Sequence, residues 1–267
     1  VPVSLSKLSL YKRENNFIFN FMKLSAGAII IFLLFSFGKC NTSRQDRKAF
    51  INPQSNYTYR QRSVDGTGKV YVNREIAQVM GAEGAAWLER KSREKEENSN
   101  LVIEKMNLLP TSVVADIGAG TGYYTFKIAE RIPKGKIYAV EIQDEMIRYL
   151  YNRKKELGST NVEIVKGDAK SPHLPDNSID LAVLIDVYHE LQYPKEMLHD
   201  ISKALKSDGK VLLLEYRAED PKVAINPLHK MSVEQLNKEM AVNGFKLSFD
   251  GEFLPIQHFL LYQKINP

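Results

Sequence analysis

The run Asp116-Ile117-Gly118-Ala119-Gly120-Thr121-Gly122 sets an acid and three alternating glycines at the end of a short apolar stretch that begins at Val113. Glycines let a backbone approach a ligand closely and adopt dihedrals that other residues avoid. A helix reading over Tyr123 to Arg131 would aim its free N–H groups at whatever binds there. This is the chemistry of a nucleotide-type cofactor site. Acids recur downstream where further apolar stretches end: Glu141, then Asp168 in Gly167-Asp168-Ala169, then Asp186. Carboxylates at such places accept hydrogen bonds from ribose hydroxyls and amino groups, and they would repel a polyphosphate. His189 lies three residues past Asp186, between Tyr188 and Glu190. A histidine near its ordinary pKa is a good base at neutral pH; capping the next helix or filling an interface is its other reading.

Spacing narrows the cofactor. A dinucleotide fingerprint needs G-x-G-x-x-G, but the third glycine falls on Tyr123 or Thr125 in the two possible registers. A phosphate-binding P-loop needs Gly-Lys-Ser/Thr, and Gly122 is followed by Tyr123. The elements that must position these residues alternate. Strands are expected at Val113, Lys136 to Val140, Val162 to Lys166, Ile179 to Ile185 and Gly209 to Glu215, the last after a turn at Ser207-Asp208-Gly209. Helices are expected over Tyr123 to Arg131, Asp144 to Leu157 with Asp144 as cap, Pro194 to Leu205, and Ser232 to Asn243. Such alternation implies a parallel sheet, whose ligands bind at the C-terminal strand ends. Phe245 to Phe253 and His258 to Lys264 read as an antiparallel pair.

Asp-x-Gly-x-Gly-x-Gly resembles motif I of the class I S-adenosylmethionine-dependent methyltransferases, and the resemblance extends over about Leu101 to Pro267. It implies an α/β, Rossmann-like seven-stranded sheet with helices on both faces and a helical N-terminal cap. It also implies S-adenosylmethionine as cofactor, with Asp116 near its methionine end and Gly118, Ala119, Gly120 and Gly122 passing beneath. Glu141 and Ile142 would then meet the ribose, Asp168 and Ala169 the adenine, and Asp186 would complete the site. Acids at these places suit a sulfonium, an amine and a ribose. His189 and Tyr188 occupy the acceptor side. The broad likeness is to ubiquinone/menaquinone-type enzymes and implies a small-molecule acceptor. The Asn/Asp-Pro-Pro-Tyr/Phe motif of amino-group methyltransferases is absent, which argues against DNA adenine or protein glutamine. A non-catalytic S-adenosylmethionine-binding protein and, further off, a nicotinamide oxidoreductase are the alternatives.

The segment Val72 to Arg90 resembles the N-terminus of a bacterial methyltransferase subgroup, some of whose members carry signal-like leaders. Ile76, Val79 and Met80 suggest one helical face there. Trp87, the only tryptophan, has two readings: a core residue docking the cap, which is the commoner role, or a wall of the acceptor pocket. Arg217 and His229 lie in or beside the long polar stretch after the fifth strand and are candidate substrate contacts, though an exposed loop residue is the commoner role for His229. Arg74 and Arg90 have two readings, a hold on a substrate anion and, the commoner one, an ion-paired or solvated face; Ser92 to Ser99 is read as a charged helix start without a site.

The net charge of +5 is concentrated at the front. Residues 1–70 hold eleven Lys/Arg against three Asp/Glu, a net +8, which leaves −3 for the remainder. A basic nucleic-acid footprint is therefore missing from the catalytic part. One cysteine, Cys40, permits no intrachain disulfide and no cysteine zinc cluster, and no metal is expected. The expected organisation is a signal or membrane-anchor segment over 1–40 with Met22 as its start, a polar tether over 41–70, the helical cap over 71–100 and the methyltransferase domain over 101–267. The apolar run Leu24 to Gly38, followed by Cys40, reads as a lipoprotein-like leader, an uncleaved anchor or a cleaved signal. A membrane-anchored or exported protein is the expectation, with the side of the membrane open.

Overall fold

A computed structural model describes residues 56–265. The expected leader, Cys40 and half of the tether (41–55) lie outside those residues. Among the described residues no helix is long and apolar enough to cross a membrane.

The core is a mostly parallel sheet. Its parallel strands are β4 (Val113–Ile117), β5 (Lys136–Glu141), β6 (Val162–Lys166), β7 (Ile179–Ile185) and β8 (Leu205–Arg217). They are joined through α4 (Tyr123–Arg131), α5 (Asp144–Leu157) and α6 (Pro194–Ala204). The chain then forms the two-residue β9 (Lys230–Met231), α7 (Val233–Val242) and the antiparallel pair β10 (Phe245–Asp250) and β11 (Gln257–Lys264). The spatial order is β10-β11-β8-β7-β4-β5-β6, with β9 beside the end of β8. This is the expected seven-stranded sheet with one short addition. From β4 the chain winds outward to β6, then returns to β7 on the other side of β4. The crevice between the ends of β4 and β7 is therefore the topological switch point where open α/β sheets bind ligands.

Period-two alternation supplies both faces of the sheet. On β8, Val211 and Leu213 join one core with Met197, Leu198 and Ile201 of α6, while Leu212 and Leu214 join the other with Phe126 and Ile128 of α4. Burying each such side chain contributes about 1.5–3 kcal/mol. Boundaries differ slightly from expectation. Ser207 to Gly209 lie inside the long β8, because Leu205 already pairs with Ile179. Gln143, not Asp144, is the N-cap of α5. Ser232 caps α7 by accepting from the Gln235 N–H at 3.1 Å.

The front of the described chain departs most from expectation. The end of the supposed tether and the start of the supposed helical cap form a three-stranded antiparallel sheet: β1 (Tyr57–Tyr59), β2 (Gly66–Tyr71) and β3 (Arg74–Ala77). Tyr57 is buried against Tyr71 and Tyr193. Ile76 sits on β3, so its spacing from Val79 and Met80 reflects no helical face. Only short helices follow: α1 (Ala85–Leu88), α2 (Arg93–Glu97) and α3 (Ser99–Lys105). The β2–β3 hairpin turns through Val72 (φ 44°) and Asn73 (φ 67°), with Tyr71 paired to Arg74. Positive φ at both central positions makes this a two-residue primed turn, usually marked by Asn-Gly or Asp-Gly. Val72 in place of the expected residue hid the hairpin.

Candidate active site

The loop after β4 is tied to β5, as the N–H groups of Gly118 and Ala119 both donate to the Val140 carbonyl, at 2.9 and 3.0 Å. Gly118 has φ +74°, and a Cβ there would lie 2.7 Å from the Val187 side chain beyond β7. This glycine therefore keeps the two strand ends close enough to form one crevice. Gly122, also at positive φ, does something else. Its added Cβ would strike Phe126 and Leu150, and it does not line the cavity, so what the structure shows for it is the seating of α4 on α5.

A cavity of about 610 Å³ opens at these strand ends. Asp116 lines it and is buried, with its carboxylate accepting from Thr125 Oγ1 at 2.5 Å. Burial pushes the Asp116 carboxyl up to about 6, against the lowering effect of Thr125, with Glu141 adding to the rise. Glu141 is held by three backbone donors: Gly120 N–H at 2.9 Å, Ile142 N–H at 2.7 Å and Gln143 N–H at 2.9 Å. It thus couples the glycine loop to the start of α5, and Ile142 lies on the cavity wall beside it. Asp168 and Ala169 also reach the wall. The exposed Asp168 accepts from the N–H groups of Lys170 and Ser171, which hold its carboxyl below the ordinary range.

Asp186 follows β7 with φ 53°. Its Oδ2 accepts from Gln257 Nε2 at 2.8 Å, while its buried Oδ1 has no partner among the described residues. Burial, then the nearby Glu97 and Glu215, push this carboxyl well up. A buried acceptor without a donor is costly, and this one borders the cavity. It calls for a ligand donor, and the amine and hydroxyls of S-adenosylmethionine supply such groups. The close-set glycine loop and the clamped Glu141 fit the same cofactor.

The cap contributes more than expected. Trp87 is 38% exposed and lines the cavity, with the Arg90 guanidinium carbon 4.0 Å from its ring centroid. It is a wall residue, not a core anchor. Arg93, in a segment expected to carry no site, is buried and also lines the cavity. It pairs with the fully buried Glu97 at 2.8 Å; Glu97 in turn accepts from Arg90 at 2.6 Å and from the Tyr216 hydroxyl at 3.0 Å. Glu and Arg in a charged run carry no sign of burial, which is why the sequence concealed them.

At the other end of the cavity three residues converge. His189 is buried and its Nδ1 lies 2.6 Å from Glu215 Oε2. Its Nε2 lies 3.0 Å from His229 Nδ1 and 3.6 Å from Glu190 Oε1. His229 Nδ1 lies 3.2 Å from the same Glu190 oxygen, and its Nε2 lies 3.0 Å from Asp65 Oδ2. His229 is therefore part of the site and not a free loop residue. Burial pulls the His189 imidazolium down, but Glu215 and Glu190 outweigh it and hold it up at about 10. The two carboxylates thus shift this ring upward from the ordinary histidine range in the empty site. Glu190, despite burial, is held at about 2 by the two histidines.

Two expected acceptor-side residues lie elsewhere. Tyr188 is fully buried off the cavity wall, with the Arg74 guanidinium carbon 5.8 Å from its ring centroid. Arg217 pairs with Glu252 at 2.8 Å, also off the wall. Arg74 is ion-paired as expected, to Glu239 at 2.6 Å.

Comparison with known proteins agrees with this geometry. Residues 109–257 match the family model for a methyltransferase domain. The chain is 32% identical over 120 residues to phosphoethanolamine N-methyltransferase 1 of Arabidopsis thaliana, covering 45% of this chain and 24% of that protein. It is 31% identical over 105 residues to the ubiquinone/menaquinone biosynthesis C-methyltransferase UbiE of Pseudomonas savastanoi pv. phaseolicola, covering 39% and 41%. The matched part thus spans well under half the length of either relative. A crystal structure of a SAM-dependent methyltransferase from Aquifex aeolicus superposes with a TM-score of 0.65 at 23% identity, over 69% of this chain and 98% of that one, which shows a shared fold.

Proposed function

This chain belongs to the class I S-adenosylmethionine-dependent methyltransferases, and on that premise we propose that it methylates a small molecule bound between the glycine loop and the His189–Glu190–His229 cluster. The observation that carries the reading is that one cavity is lined by both: Asp116, Gly118 and Asp186 at one end, His189 and His229 at the other. S-adenosylmethionine, when bound, supplies a methyl group on a sulfonium. What remains for the protein is alignment and exclusion of water, because in-line displacement depends on a near-attack geometry. Asp116, Glu141 and Asp186 hold the cofactor. Trp87 and Met80 close the cavity from the cap side. His189, held in orientation by Glu215, faces the acceptor together with Glu190 and His229.

Calorimetry with S-adenosylmethionine, followed by transfer of labelled methyl into a small-molecule extract, tests this reading. Binding and incorporation are expected; absence of binding overturns it, and binding without transfer to any pool favours a non-catalytic binding protein. The apolar run over 24–38 supports a further part of the proposal, attachment of the chain to a membrane through its N-terminal segment. Membrane fractionation of the full chain checks it, with a soluble-fraction result opposing it and a Cys40→Ser variant testing lipidation.

A further inference from the structure

We propose that His189, Glu190 and His229 form a binding site for one divalent first-row transition-metal ion. The ion's binding stands on this cluster alone; only its use in catalysis rests on the methyl-transfer reading. Three ligand atoms face one another: His189 Nε2, His229 Nδ1 and Glu190 Oε1, at 3.0, 3.2 and 3.6 Å. A tetrahedral ion with bonds of about 2.0–2.2 Å requires ligand-to-ligand edges of roughly 3.3–3.6 Å. The observed triangle is within a few tenths of an ångström of that face.

The surroundings fix the ligands as metal sites do. A metal-bound histidine usually donates its other N–H to a carboxylate, which sets the tautomer and aims the free lone pair at the ion. Both histidines have this partner: Glu215 on His189 Nδ1 at 2.6 Å, and Asp65 on His229 Nε2 at 3.0 Å. The other oxygen of Glu190 accepts from the Met80 N–H at 3.1 Å, which leaves Oε1 toward the histidines. A simple hydrogen bond between the two rings would explain the shortest contact. It would not explain a carboxylate behind each ring and a third within reach of both. No Lys or Arg salt bridge reaches Glu190, Glu215 or Asp65 among the described residues; the nearby Arg74 donates to the His189 carbonyl at 3.0 Å and is ion-paired to Glu239. Three carboxylates around two imidazoles favour a divalent cation at their centre.

Two imidazoles and one carboxylate suit zinc, manganese or iron(II) over magnesium or calcium, which favour all-oxygen sets. Three protein ligands leave a position open, and all three residues line the cavity. The acceptors this arrangement favours carry a hydroxyl, enol or thiol able to serve as a further ligand.

The test uses the full chain stripped with chelator and equilibrated with Zn²⁺, read by metal analysis, or with Co²⁺, read by its visible d–d absorption. One equivalent per chain and a tetrahedral or five-coordinate cobalt spectrum are expected. Affinity should fall at least ~100-fold in His189→Ala and in His229→Ala, and ~10–100-fold in Glu215→Gln, the usual range for an outer carboxylate. S-adenosylmethionine binding, measured on the same samples, reports folding, and His229→Ala lies on a partly exposed turn. Less than half an equivalent in the wild-type protein, or equal retention by wild type and a folded His229→Ala variant, overturns the site. Metal binding without cofactor binding would instead sink the methyl-transfer reading and leave the metal site standing.

Discussion

The two ends of the cavity are built in different ways. The cofactor end is assembled from the tips of adjacent parallel strands, β4, β5 and β7, so its acids recur once per strand and its glycines are contiguous. The acceptor end is assembled from three turns far apart in sequence: Asp65 between β1 and β2, His189 and Glu190 after β7, and His229 before β9. A sheet that fixes strand order fixes the first end by itself. The second exists only once the small front sheet and the turn before β9 come together over the sheet. The same fold can therefore hold one cofactor while varying its acceptor, because only the second end depends on loops.

The largest test of that division is His189→Ala. Removing this buried, carboxylate-held ring from the acceptor end should lower methyl transfer on the order of 10²–10³-fold, the usual cost of one preorganised polar group. Calorimetric affinity for S-adenosylmethionine should stay within about twofold. A parallel loss of cofactor affinity would show that the ends are not separable.

At the cofactor end, Asp116→Ala and Glu141→Ala should each weaken S-adenosylmethionine binding by about 1–3 kcal/mol, the range for charge-assisted hydrogen bonds. Glu141 acts partly through position, since its three backbone donors hold the loop. Unchanged affinity in both variants would remove the cofactor assignment. Asp116 also predicts a pH dependence. Its carboxyl is pushed up to about 6 by burial, so below that pH the empty site carries a neutral acid. A cationic cofactor favours the ionised form, and its affinity should rise with pH up to about 6, by at most about tenfold per unit, then level off. The sign for folding is opposite: with the folded value raised, the unfolded chain binds fewer protons between about 4 and 6, and this group's contribution to stability falls as pH rises through that window. Asp116→Asn should flatten the binding profile, and an unaltered slope in that variant would assign it to another group.

Legibility followed the same division. The acid–glycine run, Glu141, the Gly-Asp-Ala turn and the alternation of strands and helices were readable because each signal is local: a period of two or 3.6, or a fixed offset inside one loop. Spacing alone does not show that Gly122 packs on Phe126 and Leu150 while Gly118 and Gly120 line the cavity. Tyr188 and His189 are neighbours, yet one faces the core and the other the cavity, a choice made by a 3₁₀ turn that carries no pattern of its own. His229, Asp65 and Arg93 acquire their roles through contacts more than 25 residues away in sequence, which a linear reading does not reach. The carboxylate behind His189 is hidden for the same reason, since Glu215 lies 26 positions on.

The smallest expected effect sits in the front sheet that completes the acceptor end. Val72 is held at φ 44°, a conformation that costs a β-branched residue about 1–3 kcal/mol, while Asn tolerates it. Val72 is only partly buried against Tyr57, Tyr71 and Ile76, so its loss removes a fraction of the ~1.5 kcal/mol that full burial of a valine gives. Relief of strain outweighs lost packing, and Val72→Asn should stabilise the protein by about 0.5–1 kcal/mol, seen as a higher thermal midpoint. Its backbone carbonyl still accepts from Gln235 Nε2 at 2.8 Å, so the sheet keeps its tie to α7. Cofactor affinity should not change, because the hairpin serves the other end of the cavity. A lower midpoint would mean that packing of this valine outweighs its strain, and that the front sheet is anchored through its side chain rather than through its turn.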